Sequence, residues 1–481
     1  MKKYSIPLSI SCLWMLSGCY VNHALVDPWS VAPLSSSGYW TPPKAAQKQA
    51  APLSDLPEVP EGPTPLSLAE AIDIGLKNNA QTKLTWAEAR TAAAQYAQTQ
   101  SAALPTLDGQ YTLTRFREFV TFNNRTEAFF QTQWGPQVSL SYVIFDFGQR
   151  RATSEAARMA LYFSDWTHNR AIQTAINTIT NDYYGYLYQV QLLEALEADV
   201  ENAQVTLDDA NAGLNSGVKT ISDTLLATTQ LLQKQTQLAA QHQNVKNAYA
   251  QLLTDMGVPA NTEVALQELP EAASELDMRQ DLNALLSEAL QQRSDLLAAE
   301  ANVRSKQESI RAARRKFLPT LEYNFNIGRT NFNGGFNDNY NFQGTLALTF
   351  PIFSGFNLDN KVRAAEAQKE AAEAQLLQTQ LTVIENITTA HYNVKIAAET
   401  LQLAISYLKA AEEQSRVAIS QYKAGTNTIL DVVTAQTSVA DARAQKAQAV
   451  QQWFSSLANL TYAVGAMKIS NQNKQETYDQ P

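Results

Sequence analysis

Hydrophobic and polar positions along this chain follow two rhythms, and the change from one to the other happens twice. From "PLSLAEAI" the apolar residues recur at helical spacing, with Ser67 as cap and Glu70 three residues on, a capping box. The pattern predicts one helix of about 35 residues ending at "SAALPTL". There Pro105 removes a donor and excludes the helical conformation from the residue before it. The same four residues, Leu318-Pro319-Thr320-Leu321, close a second helical stretch at "RKFLPTL".

After each "LPTL" the period drops to two, the spacing of a strand with two unlike faces. Leu107, Tyr111 and Leu113 alternate with Asp108, Gln110 and Thr112. Leu321, Tyr323, Phe325 and Ile327 alternate with Glu322, Asn324 and Asn326. A polar loop follows each, then a second alternating run. Val138, Leu140, Tyr142 and Ile144 stand against Gln137, Ser139 and Ser141. Phe342, Leu346, Leu348 and Phe350 stand against Gln343, Thr345 and Thr349. The predicted strands are 106–118, 134–145, 320–330 and 341–352. Such strands fit a membrane barrel, although a soluble sandwich has the same alternation. Four strands do not close a barrel, so a barrel requires several chains.

Each hairpin leads into a long stretch without proline, Gly148 to Leu214 and Gly355 to Tyr422. Each predicts a helix of about 65 residues, on the order of 100 Å at 1.5 Å per residue. Their last parts carry heptads: Leu193, Leu196, Val200, Ala203, Leu207, Ala210 and Leu214 in one, and Leu401, Ala404, Leu408, Ala411, Ser415, Ala418 and Tyr422 in the other. Leu231, Leu238, Val245 and Leu252 lie seven apart on a returning helix, so coiled-coil packing is expected. Where each long helix turns back stands one short motif, "NSGVKTISD" and "KAGTNTILD". Gly217 and Gly425 suit the turn, and Thr220 and Thr428 suit the cap of the returning helix. Asp223 and Asp431 fall in its first turn, where negative charge meets the positive helix end.

The chain is therefore mainly α with a β portion, built by internal duplication: a first repeat over 66–256, a linker over 257–280 and a second repeat over 281–465, with a polar tail over 466–481. Residues 1–18 read as an export signal, positive at Lys2 and Lys3 and then apolar, too short to remain as a membrane span. The signal ends in Leu16-Ser17-Gly18-Cys19, which resembles a bacterial lipobox and predicts a covalent lipid on Cys19. Tyr20 rather than Asp follows, which favours the outer membrane. Residues 19–65 are rich in Pro, Ala and Ser and read as an extended tether. The only other cysteine, Cys12, lies in the signal, so the exported chain has no internal disulfide.

Net charge is −9, which argues against nucleic acid as a partner. No later run approaches a transmembrane helix, so any crossing of a bilayer must use a closed barrel. "GLNSGVKT" fails as a phosphate loop because three residues rather than four separate its glycines and Val218 precedes Lys219. The four histidines, His23, His168, His242 and His391, lie far apart in sequence, so no metal site or other cofactor is expected. "FDFG" at Asp146 has no kinase companions and reads as a strand-to-helix turn. No catalytic constellation emerges.

In this order and duplicated, "LSLAEAI", the paired "LPTL", "VSLSYVIFDFGQ", "LALTFPIFSGF" and the paired turns resemble the outer membrane factor family, the TolC-like export ducts, and especially its lipidated efflux branch. The resemblance implies a homotrimer in the outer membrane of a Gram-negative bacterium. Three chains would build one twelve-stranded barrel, continued by a coiled-coil helical tunnel into the periplasm. It also implies docking to a periplasmic adaptor and an inner-membrane transporter, with small molecules such as drugs passing out passively. Gly217, Thr220, Gly425 and Thr428 then belong to the docking turns, and Asp431, Asp223 and Tyr422 to the periplasmic gate. Thr434 and Asn427 stand where the family often has a further acid and an arginine, which argues against a double acidic ring and a salt-bridge latch. Two other readings compete: a duct for protein secretion, and a lipid-anchored coiled-coil scaffold or adhesin without a pore. For Asp223 and Asp431, stabilisation of a helix start by roughly 0.3–1 kcal/mol is the alternative to a gate.

Overall fold

The computed structural model describes residues 65–122, 125–267, 281–333 and 339–467. All belong to one compact unit, Pro57–Pro481. The signal, Cys19, the tether up to residue 64, residues 268–280 of the linker and residues 468–481 of the tail lie outside the described residues.

Among the described residues the elements run α1 (Leu68–Asn78), α2 (Ala80–Ser101), β1 (Thr106–Phe122), β2 (Arg125–Phe145), α3 (Gln149–Asn215) and α4 (Ile221–Asp255). The order then repeats as α5 (Leu282–Gln292), α6 (Ser294–Arg315), β3 (Thr320–Phe332), β4 (Asn339–Thr349), α7 (Asn357–Lys423) and α8 (Ile429–Val464). The two long helices are each 67 residues. No described helix is long and apolar enough to cross a membrane.

The opening helix starts as its sequence predicts, with the Ser67 backbone N–H donating to Glu70 Oε2 at 2.8 Å. It is not one continuous helix, however. Asn79 breaks it with φ −55° and ψ 125°, ending α1 and capping α2. Its Oδ1 accepts from the Thr82 N–H at 3.1 Å, while its Nδ2 donates to the Asp255 carbonyl at the end of α4. Arg293 makes the matching break in the second copy, fully buried, with Nη1 on the Ala463 carbonyl at 3.0 Å and its other nitrogens on Asp295. At both breaks a distant carbonyl from the end of the returning helix supplies the partner.

The sheet is antiparallel in the order β1-β2-β3-β4. The first hairpin is longer than the alternation predicts. The ladder continues past residue 118 until Phe122 pairs with Arg125, so residues 119–122 and 125–133 extend the strands instead of forming a loop. In the second copy β4 ends at Thr349, short of the expected 352, where Phe350 and Pro351 leave the ladder and Pro351 has no N–H to offer. The cross-strand register sorts the two faces. Leu107, Leu140 and Phe325 share one face, as do Val138, Ile327 and Phe342; Asp108, Ser139, Asn326 and Gln343 share the other. At Gly135 an added Cβ would lie 1.7 Å from the Arg329 carbonyl oxygen, so only glycine permits this approach of β2 and β3.

Each hairpin returns to a helix through two successive left-handed residues, Phe147-Gly148 at φ 53° and 81° and Gly355-Phe356 at φ 62° and 64°. Both phenylalanines hold an unfavourable backbone beside an aromatic neighbour, Phe147 at 4.7 Å from Phe145 and Phe356 at 5.7 Å from Phe353. Asp146 caps the first turn, accepting from the N–H groups of Gly148 at 3.0 Å and Arg150 at 2.7 Å. That is the strand-to-helix role expected of "FDFG".

The helices form one layer. Near the sheet the neighbours run α2–α3–α6–α7, and away from it α4–α3–α8–α7, so α3 and α7 span both halves. The α7 seam is buried as the heptads predict at Leu401, Ala404, Ala411, Ser415, Ala418 and Tyr422, with Leu408 half-buried. On α3 only Ala203 and Ala210 of the predicted seam are fully buried, and Asp199 and Thr206 join them. The small residues let helices approach closely; the buried Asp199 requires a charged partner. The entry residue Leu66 pairs with Leu266, through Leu66 N–H to the Ala265 carbonyl at 2.8 Å, which fastens the first part of the linker to the start of the repeat.

Candidate functional site

The two duplicated turns lie side by side at the end of the helical layer remote from the sheet. At the end of α3 the Val218 N–H donates to the Gly213 carbonyl at 2.9 Å, and Gly217 takes φ +73°. At the end of α7 the Thr426 N–H donates to the Gln421 carbonyl at 3.0 Å, and Gly425 takes φ +77°. Both are Schellman closures, in which a left-handed residue satisfies the last helical carbonyls. An added Cβ at either glycine meets nothing within 4 Å, so glycine is required by the backbone and not by crowding.

The caps that follow are also twins. The Asp223 carboxylate accepts from the Thr220 N–H at 2.8 Å and from its hydroxyl at 2.9 Å. Asp431 accepts from the Thr428 N–H at 2.9 Å and hydroxyl at 2.7 Å. Asp431 is exposed and Asp223 half-buried. The Thr428 hydrogen bonds hold the Asp431 carboxyl below the ordinary aspartate range, so it is charged at neutral pH.

Tyr422 differs. It is buried among Ala210 of α3, Ala227 of α4 and Ile429, Val432 and Val433 of α8, the one cluster drawn from all four helices at the tips. Burial pushes its phenol up, and the nearby charges of Asp223 and Asp209 push the same way. Its hydroxyl has no hydrogen-bond partner among the described residues. Two lysines that the sequence did not single out cross between the turns. Lys219 Nζ lies 3.6 Å from the Tyr422 ring centre and 3.4 Å from its carbonyl oxygen. Lys423 Nζ lies 3.6 Å from Asp209 Oδ2. They flank the glycines as "GVK" and "KAG", but their partners sit in the other copy, which local pattern does not reveal.

Further from the tips, buried Asp199 of α3 takes Lys234 of α4 at 3.1 Å and Arg443 of α8 at 3.4 Å. A cavity of about 160 Å³ adjoins them. The one hint in sequence was Lys234, three residues after the seam residue Leu231, a charge at a position facing inward. Gln436 Nε2 donates to Thr206 Oγ1 at 2.9 Å and adds a second polar tie between α8 and α3. Among the described residues no group of His, Cys, Asp and Glu could hold a metal ion. His168 Nδ1 is hydrogen-bonded to Thr85 Oγ1 at 2.9 Å, an interhelical contact.

Charged caps, a buried aromatic and crossed lysines at paired turns can shape a constriction. The model of the family "Outer membrane efflux protein" matches residues 71–258 and 285–466. Nodulation protein T of Rhizobium leguminosarum bv. trifolii is 24% identical over 409 residues, covering 83% of this chain and 85% of its own length. Outer membrane protein TolC of Escherichia coli K12 is 25% identical over 343 residues, covering 69% of each chain. The crystal structure of the Campylobacter jejuni CmeC outer membrane channel superimposes with a TM-score of 0.72 at 20% identity, over 83% of this chain and 85% of that one.

Proposed function

This chain belongs to the Outer membrane efflux protein family and is an outer membrane efflux channel, and we propose that it works as a homotrimeric exit duct. In this reading three copies place four strands each in one twelve-stranded barrel. Their helical layers continue it as a periplasmic tunnel. The tips dock a periplasmic adaptor joined to an inner-membrane transporter, and small molecules such as drugs pass through.

The observation that carries the reading is that one chain leaves two layers open at both sides. β1 and β4 are free edges of the sheet. In the helical layer the edges are α2 with α4 on one side and α7 on the other. The α7 edge exposes Leu377, Leu381, Ile384, Tyr392, Ile396 and Leu403, and the opposite edge exposes Leu84, Trp86, Leu225 and Leu232. Unlike edges join head to tail, and a head-to-tail contact that closes makes a ring. A ring also removes the unpaired strand edges that a bilayer forbids.

In the ring, three copies of Asp431 and Asp223 would place negative charge around a narrow mouth, with Tyr422 packed behind them. Such a mouth favours cations. Cys19 would carry the lipid that anchors each chain to the outer membrane; Cys19→Ser should then abolish incorporation of labelled palmitate while leaving the channel able to insert. Planar-bilayer conductance of the purified trimer, wild type beside Asp431→Ala, tests the mouth. Small cation-selective steps that enlarge or lose selectivity in the variant support it. Identical conductance and selectivity reduce Asp431 to a helix cap, and the absence of any step from a verified folded trimer removes the open duct.

A further inference from the structure

Among the described side chains of the strands, charge is separated by sign. The register places the described acidic side chains of the strands, Asp108, Glu118, Glu127 and Glu322, on the polar face. It places the described basic ones, Arg115, Arg117 and Arg329, on the apolar face with Leu107, Tyr111 and Leu113. In a membrane barrel with a polar lumen, the apolar face is the one that meets lipid.

Two of these arginines, Arg115 and Arg117, stand at the far end of that face, whereas Arg329 lies nearer the helices, between the levels of Gln110 and Leu113 on β1. Arg115 and Arg117 stand eight and ten residues beyond Leu107 on β1, on the side of the hairpin and away from the helices. At about 3.3 Å per residue they lie about 26 and 33 Å along the strand. With the ~35–45° tilt of such barrels, that is about 20 and 25 Å along the membrane normal, the upper limit of an apolar band ~25 Å tall. The Arg117 guanidinium is held against two rings, 4.7 Å from Phe119 and 5.3 Å from Phe130. Both arginines are exposed. Phe119 and Phe130 are exposed too, on the lipid-facing surface and not packed within the protein.

We propose that Arg115 and Arg117, flanked by Phe119 and Phe130, form a binding site on the outside of the barrel for the phosphate groups of an anionic lipid of the outer leaflet. Charge complementarity selects this occupant. A guanidinium at the hydrocarbon boundary requires a counter-charge, and the described acids of the strands all face the lumen. A lipid phosphate stands at the required height, and its acyl chains lie along Leu113, Tyr111 and Leu107 below. The aromatic faces orient Arg117 so that it remains at the boundary and does not fold back along the strand. The site is directional: with the helices on the periplasmic side, it faces only the outer leaflet.

The inference rests on the barrel reading of the sheet, which the conductance measurement tests separately. Its own test is thermal melting of the full-length trimer in neutral detergent, with added diphosphoryl lipid A, phosphatidylcholine or inorganic phosphate. Lipid A should raise the melting temperature of the wild type, and the rise should at least halve in Arg115→Gln/Arg117→Gln. Arg416→Gln, which changes an exposed ion pair on α7, should keep the full response. If the double variant does not assemble, the wild-type response at rising salt decides, because a phosphate–guanidinium contact at an exposed surface weakens as screening grows. An equal rise in the double variant, an equal rise with phosphatidylcholine, or a response insensitive to salt would overturn the proposal. An equal rise with inorganic phosphate would also overturn it, since the site would then be a free-anion site and not a lipid one.

Discussion

Lys219 Nζ sits 3.6 Å from the centre of the Tyr422 ring, joining the turn of the first copy to the end of the long helix of the second. The contact uses the face of the ring and leaves the hydroxyl, which is buried without a partner among the described residues. Ring and hydroxyl therefore make opposite predictions. Tyr422→Phe should be neutral or slightly stabilising, since it removes a buried polar atom that makes no bond. Tyr422→Ala should cost about 3–5 kcal/mol by emptying the tip cluster. Lys219→Met should cost about 0.5–2 kcal/mol and loosen the two turns from each other. Melting curves of the three variants check the order. A Tyr422→Phe variant as unstable as Tyr422→Ala would mean that the hydroxyl holds a partner in the assembled protein.

Gly425 separates folding from docking. Its φ of +77° penalises any side chain by roughly 1–2 kcal/mol, but open space surrounds its Cα. Gly425→Ala and Gly425→Trp should therefore melt at nearly the same, slightly lowered, temperature. Only the tryptophan adds bulk outside the tip. If the turn meets an adaptor, drug resistance in a complementation assay should fall in the tryptophan variant and persist in the alanine one. Equal resistance in both would count against docking at this turn.

Buried Asp199 and Lys234, with half-buried Arg443, tie α3, α4 and α8 together. Removing the acid leaves two cations beside the cavity without their shared counter-charge. Asp199→Ala should thus cost about 3–5 kcal/mol. Replacing the whole set with apolar residues of similar size, as in Asp199→Leu/Lys234→Met/Arg443→Met, should recover most of that loss. Chemical denaturation of both variants measures the difference. A triple variant no more stable than Asp199→Ala would show that the cavity, and not the stranded charge, dominates.

What the sequence made legible was whatever a short window determines. The strands follow from alternation at Leu321 to Ile327, and the turns from Gly, Thr and Asp at fixed spacing. The 67-residue helices follow from the absence of proline. What stayed hidden depends on distant partners. Asn79 and Arg293 interrupt their helices where their side chains meet the carbonyls of Asp255 and Ala463, far away in sequence. The extension of β1 and β2 past residue 118 escaped notice because Glu118, Thr121 and Glu127 give that stretch no clean apolar face. A pair such as Lys219 and Tyr422 becomes visible only when the two copies are folded together.

A half-buried carboxyl group makes the stability depend on pH. Asp182 of α3 is pushed up to about 7, chiefly by burial and then by the neighbouring carboxyl group of Asp255 at the end of α4. Gln251 Nε2 donates to Asp255 Oδ2 at 2.6 Å. An unfolded aspartate loses its proton near pH 4. Between about pH 4 and 7 the folded chain thus binds a proton that the unfolded chain does not, and stability must fall as pH rises through that window and level off above it. Half-burial and solvent screening limit the effect to the order of 1 kcal/mol. Asp182→Asn supplies a permanent donor and removes the titration. The variant should melt above the wild type at pH 8, and the gap should close by pH 5. Melting profiles of the two proteins that run parallel from pH 5 to 8 would show that Asp182 carries no proton at neutral pH.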